Sequence, residues 1–513
     1  MPATKHQPIV PTRAGTVLRM AWNGLPRQAG WCGAMMLAWF LGLAGMRADV
    51  VLDWNALMLD AIRADNSAPT VSSRNLAILH TAVYDSVNSI LRTHQPYRFE
   101  LAAAPGTSVE AAAVGAAYEV TKVLYQTFAA PADELYSLWL TENPNTEATA
   151  QGLELGRQVA QLTLDSRSAD GSSTEVPYIP SDEPGQWRRT PPFFRPPLTP
   201  HWRYVTPFCL PDLEPFLPPP PPALDSVEYA VAVNEIQAMG GLDSTLRTEE
   251  QGLIARYWSD FSYTAMPPGH WHEIAATIAR DRGNTLAENA RLFALISLAQ
   301  ADAAILCWES KYAHNLWRPV TAIQRAEEDG NPLTEADPAW QQYLPAPPFP
   351  AYPSGHSTFS KASSQVLTHF YRTDAISFTT SSDTVHGVFR SFDSLAACAD
   401  EVGMSRIYGG FHFSFDNVHG KISGAQIGNY VSANFLLPHS GLPSVGVVAA
   451  QTGLPKIRFH GLVGRAYVLE FTADFEHWHP ISTNNAVVGG VVLADPGASS
   501  QDSRFYRLRE HSP

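Results

Sequence analysis

Cysteine is scarce in this chain: four residues in 513, at positions 32, 209, 307 and 398, with no CxxC pair to offer a metal. If residue 32 is removed with a leader, the remaining three allow at most one disulfide and read as structural. Basic clusters are also missing. Lys and Arg number 35 against 49 Asp and Glu, the net charge is −14 and the pI is near 5.6, which excludes nucleic acid as the main partner because a phosphate backbone needs clustered cations. Charged residues make up only 16% against 45% hydrophobic, a globular rather than a disordered composition. No internal repeat recurs at a fixed period. Beyond the N-terminal region no stretch approaches the roughly 20 apolar residues of a membrane span, so stable membrane insertion of the body is not expected.

The N-terminal region is the exception. Arg19 and Arg27 precede WCGAMMLAWFLGLAG, residues 31–45, which ends in small residues and RAD around Ala48. Residues 1–48 therefore read as a signal peptide, with export to the periplasm or the medium as its meaning, and Met20 as start would give a signal of ordinary length. The alternative is a retained anchor, since residues 28–46 are uncharged and close to span length. Cys32 lies inside that stretch rather than at its end, a poor place for a lipoprotein cysteine.

From Asp49 the periodicity is helical. Leu76, Leu79, Val83, Val87 and Ile90 step by three and four, and an Ala-rich run over 109–128 continues the pattern. His80 and Asp85, inside the first of these, read as buried hydrogen-bonded groups rather than a site. Residues 170–222 are proline-rich, with five consecutive prolines from Pro218, and read as a long extended connection. Its aromatics, Trp187, Phe193, Phe194, Trp202 and Phe208, are expected to pin it to a helical core. Helices resume near 226 and at 285, where Thr285 and Glu288 form a capping box before Leu292, Leu295, Ala299, Ala303 and Leu306. That helix is expected to pass Lys311 and stop near Arg318, because Pro319 follows. After about 440 the texture is β: Tyr467, Leu469 and Phe471 alternate, and further short runs end at 504–508. The expected organisation is mainly α, with a helical domain over 49–440, a linker over 441–455 and a small antiparallel β module over 456–513.

Chemistry concentrates in three blocks. In PPFPAYPSGHSTF, residues 347–359, Ser354 is a good N-cap after Pro353, and Phe359, Ala362, Val366 and Phe370 continue at helical spacing. A helix N-terminus carries unpaired N–H groups at the positive end of its dipole, so Ser354, Gly355 and His356 present an anion site. In KYAHNLWRP, Lys311 and Arg318 are seven apart, close to two helical turns, which would put both cations on one face. In SRIYGGFHFSFD, Arg406 is followed by His412 and Asp416, with Gly409 and Gly410 suited to a helix stop that turns His412 back. Asp416 can accept from one nitrogen of His412 and leave the other free as nucleophile or ligand. Gly420, Gly424 and Gly428 follow as a bare helix face. Three cations, a hydroxyl, helix-end N–H groups and two histidines make a cage for a tetrahedral oxyanion.

Together, Lys-x6-Arg-Pro, Pro-Ser-Gly-His and Ser-Arg-x5-His-x3-Asp resemble the signature of the type 2 phosphatidic acid phosphatase and vanadium-dependent haloperoxidase superfamily. PPFPAYPSGH, with Trp308 three residues before Lys311, is similar to the chloroperoxidase version. The resemblance covers roughly residues 50–440 and implies an all-α helical-bundle fold. It also implies that Lys311, Arg318, Ser354, Gly355 and Arg406 hold the oxyanion, that His412 binds vanadium directly, and that His356 is the general acid–base group. Trp308 and Phe349 would line a halide pocket. The implied cofactor is vanadate, and the implied reaction is oxidation of halide by hydrogen peroxide to hypohalous acid. The same superfamily implies an alternative: an exported acid phosphatase that hydrolyses phosphate esters through a phosphohistidine at His412, since phosphate and vanadate are near-isosteric. A secreted binding protein without catalysis is disfavoured by the presence of both histidines. An acidic partner for Arg406 is expected upstream, with Glu249 and Glu250 as candidates. The C-terminal segment lies outside the resemblance and is similar to small β modules that end many secreted bacterial proteins.

Overall fold

The structure, a computed structural model, describes residues 49–439, 444–449, 454–460, 466–474, 477–486, 491–498 and 504–511. The expected signal stretch and part of the expected linker lie outside these residues. Asp49 caps the first helix, its carboxylate accepting from the Val51 N–H at 2.8 Å. The helices then run α1 (Val50–Asp65), α2 (Pro69–Leu91), α3 (Val109–Leu124), α4 (Ala129–Glu142), α5 (Glu147–Ser166), α6 (Val227–Met239), α7 (Glu249–Tyr257), α8 (Met266–Arg282), α9 (Leu286–His314), α10 (Pro319–Gln324), α11 (Gly355–Tyr371), α12 (Leu395–Tyr408) and α13 (Ser414–Asn434). Between α5 and α6 the proline-rich segment holds only short 3₁₀ turns. Trp187, Trp202 and Phe208 are buried there as expected, whereas Phe193 and Phe194 stay 64% and 57% exposed and pin nothing.

At the centre stands α9. Its Thr285–Glu288 capping box is formed as the sequence suggests. By length and composition it is the one described helix apolar enough to cross a membrane, a feature the scan for apolar runs missed, yet 94% of its apolar window is buried inside the fold, as in the core helix of a globular domain. Helices α11 and α13 pack through bare backbone: a Cβ on Gly420 would lie 2.7 Å from the Ser354 carbonyl oxygen, and one on Gly424 would lie 2.3 Å from that of Thr358. Only glycine allows this approach, and it fixes the start of α11 against the start of α13. His80 and Asp85 are structural, the first 3.0 Å from Asn55 Oδ1 and the second accepting three backbone N–H groups from Tyr97, Arg98 and Phe99. Cys209, Cys307 and Cys398 are free and buried.

The helical region is not purely α. A hairpin of β1 (Phe378–Ser381) and β2 (Phe389–Phe392), absent from the sequence reading, sits between α11 and α12. At the C-terminus, β3 (Ser444–Ala449), β4 (Lys456–His460) and β7 (Val491–Ala494) form one antiparallel sheet, and β6 (His479–Asn485), β5 (Ala466–Thr472) and β8 (Phe505–Glu510) form another. Part of the expected linker is thus strand, because β3 finds its ladder partner in β4. Along β5 the alternation also fails: Val468 and Glu470 are buried together with Tyr467 and Leu469, and Glu470 is held by Arg507 and Arg509 at 2.8 and 3.0 Å.

Candidate active site

The start of α11 is built as its sequence suggests. Ser354 caps it in extended conformation, donates its N–H to the Asp416 carbonyl at 3.0 Å, and accepts from the Ser357 hydroxyl at 2.9 Å. One turn of α13 is thereby tied to the Ser354–Gly355–His356 segment, so the histidines of two separate sequence blocks are brought to one place.

The two cations of the first block meet by another route than expected. Helix α9 stops at His314, where Asn315 takes the left-handed conformation with φ of 52°, and Arg318 is the extended N-cap residue before Pro319 of α10. The juxtaposition comes from this turn and not from a shared helix face, because a left-handed C-cap ended the helix before proline could. Lys311 is buried and gives its three ammonium hydrogens to the carbonyls of Pro350, Ala351 and Pro353 at 3.0, 2.9 and 2.6 Å. It clamps the loop that leads into Ser354. Arg318 donates Nε to the Phe349 carbonyl at 2.8 Å and Nη1 to that of Phe411 at 2.9 Å, while its Nη2 has no partner among the described residues. Arg406, in the last turn of α12, donates Nη1 to the Trp258 carbonyl at 2.7 Å, and its Nε and Nη2 have no partner among the described residues.

Beyond α12, Gly410 adopts a φ of 87°, open to glycine and strained for other residues, and the chain turns to present His412. His412 Nδ1 lies 2.8 Å from Asp416 Oδ2, which also accepts the Phe413 N–H at 3.1 Å. An ionised carboxylate only accepts, so Nδ1 carries the hydrogen and Nε2 keeps its lone pair, 3.1 Å from Arg318 Nη1.

A cavity of about 260 Å³ opens over this centre, with Trp308, Phe349, Gly355, His356, Arg406 and His412 in its wall. The Trp308 and Phe349 rings are 4.9 Å apart. Lys311 Nζ and the Arg318 guanidinium each lie 5.0 Å from the centre of the Phe349 ring, so its π-face supports both cations.

One functional candidate escaped the sequence. Glu249 and Glu250 are not the acidic partner of Arg406: both are exposed on the first turn of α7, and Glu250 pairs with Arg390 at 2.8 Å. Asp260 is the better candidate, although it makes no direct ion pair with Arg406 among the described residues. It is buried in the cavity wall, its charge acts on Arg406, and its Oδ2 lies 3.8 Å from His356 Nε2. It reaches inward through a left-handed backbone, φ 41°, which no spacing rule reveals; the nearest signal was an acidic residue set among aromatics in YWSDFSY.

Burial dominates the electrostatics. It lowers the Lys311 ammonium to about 7 and the Arg318 guanidinium to about 9, and it pushes Arg406 well below its ordinary value. Desolvation, together with the neighbouring cations, keeps His356 and His412 strongly biased toward neutrality. Asp416 is raised to about 7 by burial against the opposing pull of Lys311 and Arg318. Three desolvated cations, with Arg406 in the cavity wall and with N–H groups of Arg318 and Arg406 that have no partner among the described residues, are what a multiply charged oxyanion would satisfy. The residues therefore fit vanadate or phosphate: Arg318 Nη2 and Arg406 Nε and Nη2 have hydrogens to give, and His412 Nε2 has a lone pair.

A family profile described as the VCPO second helical-bundle domain matches residues 291–438, which hold all three sequence blocks. The crystal structure of a bacterial vanadium-dependent iodoperoxidase superposes with a TM-score of 0.66 at 30% identity, covering 76% of this chain and 97% of that one. This chain belongs to the vanadium-dependent haloperoxidase family. A bacterial vanadium-dependent chloroperoxidase in its holo form shares the haloperoxidase fold, with a TM-score of 0.58 at 18% identity over 72% of this chain and 92% of that one. Vanadium chloroperoxidase from Curvularia inaequalis is 36% identical over 186 residues, a match spanning 31% of this chain and 30% of that protein's length.

Proposed function

We propose that this chain is a vanadium-dependent haloperoxidase that oxidises halide with hydrogen peroxide to hypohalous acid, with vanadate held at His412. The observation that carries this reading is the set of buried Arg318 and Arg406 N–H groups with no partner among the described residues, together with a His412 Nε2 that keeps its lone pair 3.1 Å from Arg318 Nη1. Bound vanadate would supply a Lewis-acidic centre that activates peroxide without changing its own oxidation state. The chain's residues supply the rest. Arg318, Arg406, the Ser354 hydroxyl and the N–H groups at the start of α11 neutralise and orient the oxyanion, with Lys311 contributing its charge from behind the loop. His356 Nε2, unpartnered and facing the cavity with 13% of its side chain exposed, holds and moves a proton. Trp308 and Phe349 offer an apolar, water-poor wall for the halide, where charge interactions strengthen. The resemblance of PPFPAYPSGH to chloroperoxidases supports chloride and bromide as substrates, and the iodide-oxidising relative adds iodide to the halides worth assaying.

Export after removal of residues 1–48 is part of the same proposal, tested by N-terminal sequencing of the mature protein. The deciding experiment supplies purified protein with orthovanadate and measures iodide, bromide and chloride oxidation by peroxide beside phosphate-ester hydrolysis. Ester hydrolysis through a phosphohistidine, with no halide oxidation, would replace this reading by the phosphatase one.

A further inference from the structure

Asp260 reaches the cavity from a segment that no regular element holds. Asp260 and Tyr263 between α7 and α8, and Met266 at the start of α8, all take left-handed backbone, with φ of 41°, 67° and 61°. Such a conformation persists only where surrounding contacts over-determine it. At Asp260 one of those contacts is His270, buried in the second turn of α8. Its Nδ1 lies 3.1 Å from Asp260 Oδ1 and its Nε2 lies 3.2 Å from Thr380 Oγ1. Its ring stacks at 4.6 Å on Trp258, the residue whose carbonyl holds Arg406. Thr380 belongs to β1, and the hairpin grips the same segment three more times: Ser382 Oγ donates to the Tyr257 carbonyl at 2.6 Å, Thr384 Oγ1 to that of Arg256 at 2.8 Å, and Asp383 Oδ2 accepts the Ala265 N–H at 2.8 Å.

We propose that His270 is a positioning residue of this site: by donating Nδ1–H to one oxygen of Asp260 it turns the other oxygen toward His356 and leaves the carboxylate beside Arg406, with the β1–β2 hairpin as its anchor. The role in turnover rests on the haloperoxidase reading, whereas the role in holding Arg406 for an oxyanion does not. A histidine that merely fills space would be replaced equally well by any ring of its size. One that positions a carboxylate needs a donor on one side and an acceptor or donor on the other.

The test compares His270→Phe, which keeps the ring on Trp258 and removes both hydrogen bonds, with His270→Asn, which keeps an amide donor at the Nδ1 position facing Asp260. In vanadate-loaded protein His270→Phe should lower kcat about 10- to 100-fold, the usual loss for a group that orients a site residue, while His270→Asn recovers most of that loss. Phosphate binding, read by calorimetry on vanadium-free protein without peroxide or halide, should weaken in the Phe variant and recover in the Asn variant. Thr380→Val, which leaves His270 in place but removes its anchor, should shift both readouts in the same direction to a smaller extent. Equal impairment of Phe and Asn variants, or phosphate affinity in His270→Phe or Thr380→Val equal to wild type, overturns the inference. A wild-type protein that oxidises no halide defeats the haloperoxidase reading alone, because the phosphate arm still decides the role of His270.

Discussion

Charge restoration at Lys311 gives the sharpest test of the cage. In the anion-free protein, burial brings this ammonium from 10.5 to about 7. Between those values the unfolded chain holds a proton that the folded chain has released, so the stability of anion-free protein rises with pH across that window, and the penalty is fully present below about pH 7. At about 1.36 kcal/mol per pH unit the whole span is worth roughly 5 kcal/mol. A bound oxyanion reverses the situation by holding Lys311 protonated. Binding then takes up a proton above pH 7 and weakens about tenfold per pH unit beyond the anion's own titration. The part of the stabilisation by excess orthophosphate that comes from Lys311 should therefore be full near pH 6 and smaller by about 2 kcal/mol at pH 8.5. The assay is urea unfolding at 25 °C with and without phosphate, on wild type and on Lys311→Met. The variant leaves the carbonyls of Pro350, Ala351 and Pro353 without a donor but also removes the buried charge, so its anion-free stability should lose the rise between about pH 7 and 10.5. Its phosphate-induced stabilisation should also fall less steeply with pH, and phosphate's own protonation cancels between the two proteins. Identical slopes would remove Lys311 from the electrostatics of the cage.

His412→Ala should abolish stoichiometric vanadate binding while leaving the helical fold, and His356→Ala should keep the oxyanion but lower turnover about 10²–10⁴-fold; metal analysis and steady-state kinetics on both variants separate ligand from acid–base group, and exchanged results would exchange the roles. Gly424→Ala places a Cβ 2.3 Å from the Thr358 carbonyl. Overpacking of about 1–3 kcal/mol should outweigh the roughly 1 kcal/mol gained in helix propensity, so denaturant unfolding should show a loss, and a more stable variant would refute the close approach of α11 and α13. Phe349→His removes the ring that supports Lys311 and Arg318 at 5.0 Å and puts an ionisable group in the apolar wall. It should depress chloride oxidation more than bromide oxidation, and equal losses would leave Phe349 as packing.

The sequence by itself determined the helical class of the main domain, the capping of α9 and α11, the glycine face of α13 and the set of residues that are candidates for an anion site. Each of these depends on spacing along one element or on a residue type whose chemistry is local: a Ser before Gly-His caps a helix wherever it lies, and glycines at every fourth position make a bare stripe on any helix. Tertiary structure decided what depends on turns and on distant partners. Arg318 joins Lys311 through a left-handed Asn315 rather than along a helix face, and it is the charge of Asp260, in a loop entered with φ of 41°, and not that of Glu249 or Glu250, that reaches Arg406. Strand β3 emerged within the expected linker for the same reason, since an edge segment becomes a strand only when a partner such as β4 offers its hydrogen bonds. Burial of Lys311, Arg318 and Arg406 together exists in no single block of sequence. It is set by how α9, α11, α12 and α13 pack together, and that burial gives an ordinary set of cations the desolvated charge an oxyanion can relieve.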